Sequence, residues 1–428
     1  MADPPGPRAN PTALASRSAY VALLAGAIED AARALPPPAT ARGGDDLSPG
    51  SSSSGSAATN LGLANPAPRA SPRDGARWRV FAVSDIHADV PANMAWVRAL
   101  PAYPPRSALV VAGDVATRVE TLEACLRELK AKFEEVFFVP GNHELWTPPH
   151  PNPQSDEGLP SDSLGKYALI VRRCAALGVR VAPTLLRGAE PQSVPAERTT
   201  EHFGDQKSQQ HSTRALNANA RRHPNPSVLI VPVPSWYEEA FARDQSHRGY
   251  SPEEAHFDAG CLWPACVAGG AEHARNAHAP GVAEFFNANL ADAVASPRFF
   301  AAVAPGLPDA SGADSSSFDV LTFSHFVPTR SLYRGRGALA KVMGAERVAR
   351  RVAALGSVCH VFGHSHVDVD GALVDGTRYH QRALGYPNER WFGASEVTPA
   401  LVWGPGSRWE RTGARGGEDD GAGGCVVE

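Results

Sequence analysis

The 428-residue sequence predicts an α/β fold, a sandwich built round a central sheet, from three observations. Short apolar strands alternate with amphipathic helix patterns. The strands are nearly continuous in their apolar content, as strands covered on both faces are. Finally, five short polar motifs each stand directly after a strand, where the loops of such a fold gather at one edge.

Taken in order, 78–83 (WRVFAV) is the first strand and a helix pattern follows around 93–100. Residues 108–112 (ALVVA) form the second strand. Residues 117–132 then place Leu122, Cys125, Leu126 and Leu129 on one face of a helix. A third strand at 136–139 (VFFV), a helix at 164–177 and a strand at 179–185 continue the alternation. Later strands are expected at 228–233, 318–323 and 358–362, with antiparallel additions at 377–383 and 397–403. The folded domain is therefore expected over 77–405, with a polar insertion near 187–226.

Residues 1–76 are rich in Ala, Pro, Ser and Gly and are expected to be a mostly disordered extension, apart from a helix-like stretch at 14–35. Residues 406–428 are expected to be a disordered tail. It ends in Cys425-Val426-Val427-Glu428, which has the form of a prenylation signal but lacks its usual final residue and any basic cluster.

Hydrophobic residues make up 43% and charged residues 20%, which suits a globular core. The net charge of −4 offers no general basic field, so nucleic acid is not an expected partner. The apolar run 19–28 is too short to span a bilayer, so no transmembrane segment is expected. The six scattered cysteines read as reduced thiols, Cys261 and Cys266 included. The reading is a cytoplasmic protein, with organelle import through the N-terminal stretch as the alternative.

The five motifs are Asp85-Ile86-His87, Gly113-Asp114, Gly141-Asn142-His143-Glu144, Ser324-His325 and Gly363-His364-Ser365-His366. Five strand ends can bring these residues into one cleft, and what they deliver is a metal-binding inventory. Carboxylate oxygens and imidazole nitrogens suit Mn, Fe, Zn or Co. Residues two apart at a strand end point the same way, so Asp85 and His87 can reach one ion. His364 and His366 can do the same, or two facing ions can divide them. The preceding glycines permit tight turns and close backbone approach. Each motif alone is common, but all of them in this order, each at a strand end, is a specific signal.

The motif set resembles that of the calcineurin-like metallophosphoesterase superfamily, D-x-H, G-D, G-N-H-[DE], a lone His and G-H-x-H, complete and in order from Asp85 to His366. The resemblance implies a four-layer α/β/β/α sandwich with two mixed sheets. It implies two metal ions, divalent or trivalent: Asp85, His87 and His366 on the first, Asn142, His325 and His364 on the second, and Asp114 bridging both. It implies hydrolysis of a phosphomonoester or phosphodiester by a metal-activated water, with His143 as general acid, although His143 could also be a further ligand. A phosphorylated substrate is the partner so implied. A non-catalytic scaffold on the same fold and a nuclease are the rival readings, and the complete ligand set and the acidic balance disfavour them. Ala88-Asp89 after the first motif and 115–118 (VATR) after the second depart from the serine/threonine phosphatase branch, so protein phosphatase activity is not expected. Asp89 and Glu144 are read either as groups that orient ligating histidines or as surface acids, His360 as a packed strand residue, and 231–238 (VPVPSWYE) with Trp263 as core packing or a pocket wall.

Overall fold

The computed structural model describes residues 14–38, 77–147, 161–188, 227–242, 252–304, 318–335, 337–390 and 397–407. Its elements run α1 (Arg17–Ala34), β1 (Arg79–Val83), α2 (Pro91–Ala99), β2 (Ser107–Ala112), α3 (Val119–Lys130), β3 (Glu135–Val139), α4 (Asn142–Leu145), α5 (Ser163–Ala176), β4 (Thr184–Leu186) and β5 (Ser227–Pro232). The short helices α6 (Pro252–Ala255), α7 (Ala265–Ala268), α8 (Pro280–Glu284), α9 (Ala291–Val294) and α10 (Pro297–Val303) follow. The chain then forms β6 (Phe318–Phe323), α11 (Glu346–Ala354), β7 (Cys359–Phe362), β8 (Val369–Val374), β9 (Thr377–Gln381) and β10 (Ala400–Trp403).

The strands form two sheets, ordered β10-β1-β2-β3 and β4-β5-β6-β7-β9-β8. Both are mixed: β1, β2 and β3 are parallel with β10 antiparallel, and β5, β6, β7 and β9 are parallel with β4 and β8 antiparallel at the edges. Alternation along each strand sorts its side chains between two layers. Val80, Ala82, Val110, Phe137 and Val139 of the first sheet meet Val228, Ile230, Leu321, Phe323 and Val361 of the second in an apolar layer between the sheets. The other faces, with Val83, Leu109, Val111, Val136 and Phe138 on one sheet and Phe362 and Tyr379 on the other, join a larger cluster with helical residues. This is the four-layer α/β/β/α sandwich with two mixed sheets, rather than layers round one central sheet.

Three expectations change. The segment 377–383 was expected to be antiparallel; β9 instead pairs in parallel with β7 and antiparallel only with β8, an edge strand the pattern did not disclose because Gly371 kinks it at φ +71°. Only the end of 179–185 is a strand, and Arg180 makes a lone bridge to Phe137. The largest change is at the N-terminus. α1 buries Tyr20, Leu24, Ile28 and Ala31, spaced as one helix face, so it belongs to the packed body and the boundary at 77 is corrected. The Tyr20 hydroxyl donates to Asp162 Oδ2 at 2.6 Å, while Oδ1 of the same carboxylate caps the first turn of α5. The expected insertion beyond 188 and the tail beyond 407, including Cys425, lie outside the described residues. Among the described residues no helix is long and apolar enough to cross a membrane.

Candidate metal centre

The five motifs follow β1, β2, β3, β6 and β7, and their side chains converge. Asp85, His87 and His366 present ligand atoms within 4.8 Å of one another, as do Asp114, His325 and His364. We refer to these as the outer and inner sets. Asn142 joins the inner set through Oδ1, 2.9 Å from His325 Nε2.

Convergence requires unusual backbone. Asp85, His87, Asp114, His364 and His366 all have positive φ, between 46° and 75°, five of the eight such non-glycine residues described. That conformation costs of order 1–3 kcal/mol per residue and persists where surrounding contacts impose it. At Asp114 a buried carboxylate helps to impose it. Glu144 accepts from the backbone N–H groups of Asp114, Val115, Ala116 and Gly141 at 2.7–2.9 Å, locking the second motif to the third. Glu144 is thus neither a surface acid nor a histidine partner but the tie between two loops. Gly141 has no room for a side chain, since a Cβ there would stand 2.2 Å from Asp114 Oδ1.

The inner set is a cluster of acceptors. His325 Nδ1 lies 2.9 Å from the Ala112 carbonyl, which can only accept, so Nδ1 carries the proton and Nε2 a lone pair. His364 Nε2 likewise donates to the Val342 carbonyl at 2.9 Å, leaving Nδ1 as a lone pair 3.0 Å from His325 Nε2. The Asp114 carboxylate, 3.4 Å from His325 Nε2, and the Asn142 oxygen complete the cluster. Four acceptors this close repel one another unless a positive charge lies among them. Without a cation the cluster takes up a proton: burial lowers the His325 pKa, but the Asp114 charge outweighs it and raises it to about 9. The same pull acts on Asp114, whose burial raises its pKa but whose histidine neighbours hold it well below the carboxylate range.

The outer set repeats the pattern. His366 Nδ1 contacts Glu389 Oε2 at 2.7 Å, and its Nε2 turns to His87 Nε2 at 3.1 Å and Asp85 Oδ1 at 3.6 Å. Burial lowers the His366 pKa, yet Asp85 and Glu389 raise it to about 9, while burial takes His87 down to about 3. Oxygen and imidazole donors with this orientation fit Mn, Fe, Zn or Co.

His143 stands between the sets. Its ring stacks on Trp146 at 4.0 Å, Nδ1 lies 3.3 Å from Thr117 Oγ1, and Nε2 is 3.9 Å from Asp114 Oδ2. Its backbone N–H donates to Asp114 Oδ1 at 3.0 Å. His143 also falls within one ligand group with His87 and Asp114, so the ligand alternative retains a geometric basis.

Several contributors carried no sequence signal of their own. Asp258 accepts from Asn142 and Trp146, Tyr386 stacks on His87 at 4.3 Å, and Asn93 holds the Ile86, His87 and Gly385 carbonyls. Trp146 follows the third motif closely enough to be suspected; Tyr386, Asp258 and Asn93 do not. Other readings are settled. His360 bonds Thr322 and Ser324 inside the core, and Trp236 and Trp263 pack against each other and Phe286. Asp89 accepts from the Thr117 N–H at 2.5 Å, pinning the residue beside His143. The described cysteines, Cys261 and Cys266 among them, are free.

A sandwich of two mixed sheets with this motif set at its strand ends is the arrangement that the resemblance to metallophosphoesterases implies. A family model described as calcineurin-like phosphoesterase matches residues 79–278 of this chain. His325, His364 and His366 lie beyond the match and rest on the motif order and the geometry above. A curated relative, acyl-carrier-protein phosphodiesterase PptH of Mycobacterium tuberculosis (strain ATCC 25618 / H37Rv), is 35% identical over 105 residues, 24% of this chain and 31% of the relative. The chain thus matches about a third of that relative's length. The crystal structure of phosphopantetheinyl hydrolase (PptH) from Mycobacterium tuberculosis aligns over 78% of this chain and 100% of that one, at 22% identity and a TM-score of 0.43.

Proposed function

We propose that the chain is a hydrolase of phosphate esters that works with two metal ions, one in each ligand set, with Asp114 bridging. The observation that carries the reading is that the two ligand sets are linked through a third group, His87, Asp114 and His143, which takes one residue from each. Ions held there would supply Lewis acidity toward a phosphoryl group and a more acidic water.

The chain's own groups do the rest. The carbonyls of Ala112 and Val342 keep His325 and His364 in the tautomers that offer a lone pair inward. Trp146 beneath and Thr117 beside His143 hold its ring with Nε2 toward the cleft. A proton on Nε2 can pass to the departing alkoxide, the role of a general acid.

The name of the relative makes a phosphodiester, and one carried by acyl carrier protein, the first substrates to try. The test is Mn²⁺-dependent hydrolysis of a chromogenic phosphodiester and a chromogenic phosphomonoester by the full chain, with His143→Ala alongside. We expect metal-dependent turnover that falls roughly 10²–10⁴-fold in the variant, the usual loss for a general acid, with both ions retained. A chain that binds two ions and hydrolyses neither these esters nor the acyl carrier protein diester overturns the reading. Loss of an ion in His143→Ala would make His143 a ligand.

A further inference from the structure

We infer that Asp258 is a positioning residue for the inner set: its carboxylate turns the Asn142 amide so that oxygen faces inward, and it anchors the indole on which His143 stacks. The inference rests on the proposed reading in one respect, that the inner set holds a cation.

An asparagine ligand has a problem that a carboxylate or a histidine held by a carbonyl does not. Its amide presents an oxygen on one side and an N–H₂ on the other, and a half-turn exchanges them. Oxygen inward places an acceptor on the cation; nitrogen inward places two positive hydrogens there. Nothing in the inner set prevents the exchange, because His325 Nε2, the Asp114 carboxylate and His364 Nδ1 form the cluster that Asn142 faces. The orientation must be imposed from the other side, by an acceptor that bonds the N–H₂.

Asp258 is that acceptor. Its Oδ1 accepts from Asn142 Nδ2 at 2.7 Å and from Trp146 Nε1 at 2.7 Å, while Oδ2 is buried without a hydrogen-bond partner. The residue is 3% exposed. A buried carboxylate with a free oxygen is costly, and among the described residues no cationic side chain is bonded to this one, so stability alone does not explain it. One atom receiving two N–H groups ties a ligand of the inner set to the platform of His143.

The chain also fixes where that atom stands. Asp258 has φ +58° in the turn after α6, and its carbonyl accepts from the Cys261 N–H at 2.9 Å. Cys261 bridges to Trp146, and the Gly260 carbonyl accepts from the Thr147 N–H at 2.8 Å. Gly260 lies under the indole, where a Cβ would stand 2.8 Å from Trp146 Cγ. The segment 258–261 is thus laid against 146–147, and Asp258 reaches Asn142 from the end of it.

Glycine and asparagine both tolerate positive φ, so Asp258→Gly removes the acceptor and Asp258→Asn restores it without new backbone strain. The readout is calorimetric titration of the full metal-free chain with Mn²⁺, with a thermal melt to confirm folding. We expect Asp258→Gly to weaken one ion roughly 10–100-fold, as lost outer partners of metal ligands do, and to leave the other unchanged. Asp258→Asn should bind both as the parent chain does, and so should Trp146→Phe, which removes the indole N–H but not the Asn142 bond. Should the glycine variant not fold, Asp258→Ser, one bond too short to reach both partners, takes its place. Parent-like binding of both ions by Asp258→Gly overturns the inference, as does failure of Asp258→Asn to hold the inner ion. A parent chain that takes up no Mn²⁺ overturns it together with the proposed function. Turnover enters none of these readings, so the hydrolase reading can fail in its own assay while this one stands.

Discussion

The inner and outer ligand sets use the same donor types but hold them by different means. In the inner set Asp114 and His325 are 2% and 0% exposed, and the partners that orient its histidines are the carbonyls of Ala112 and Val342. In the outer set the His366 side chain is 17% exposed and its partner, Glu389, is 42% exposed. Glu389 sits with Tyr386 and Pro387 in the loop after β9, outside all five motifs. A carbonyl in a fold's core cannot move without the core moving, whereas a half-exposed side chain can rotate away. The inner site is therefore set by the fold itself, and the outer site by a surface loop that folds over it.

The largest effect is expected where the two sets meet. Asp114→Asn retains the shape of the side chain and removes the charge proposed to bridge the two ions. Mn²⁺ titration should show both ions weakened together, by more than the roughly 10–100-fold typical of an outer partner. If one ion alone weakens, Asp114 belongs to that set and the bridging assignment fails. A change remote from both sets sharpens the contrast. Leu24 of α1 is fully buried, and Leu24→Ala should cost about 2–5 kcal/mol of unfolding free energy, read in denaturant, with both ion affinities unchanged. A negligible cost would return α1 to the status of a dispensable extension.

The comparison also shows what the sequence could disclose. The proposed ligands stand out in the sequence because metal chemistry favours particular residue types at strand ends, and apolar strands are easy to see. Glu144 was visible as a candidate, but its role was not, since four backbone N–H groups leave no trace in a sequence. Asp258 was invisible: it lies 116 positions from Asn142 in a segment with no periodic pattern. The helix-like stretch at 14–35 was seen, but its burial was not. Its buried face is Tyr20, Leu24, Ile28 and Ala31, but surroundings rich in Ala, Pro and Ser disclose no partner for it. Edge strands such as β8 escape for a related reason, because half-buried strands with a glycine kink carry little apolar signal.

The smallest of these effects tests the outer half of the comparison. Glu389 Oε2 lies 2.7 Å from His366 Nδ1 and accepts from the Tyr386 N–H at 2.8 Å, and Tyr386 in turn stacks on His87. One carboxylate therefore steadies two outer ligands, one by a hydrogen bond and one through a ring. Glu389→Gln keeps an acceptor for both N–H groups and removes the charge that makes His366 the stronger base. It should weaken the outer ion by about tenfold at most, the low end for such partners. Glu389→Ala removes the acceptor as well, freeing the His366 ring and the loop, and should weaken it further. Neither should alter the inner ion, whose histidines are held by main-chain carbonyls. Calorimetric titration of the two variants resolves the ions separately. Equal loss at both would mean that the sets act as one rigid unit and that the division between core-held and loop-held ligands is mistaken. Loss confined to one ion, graded from glutamine to alanine, would locate the adjustable half of the centre in the loop after β9.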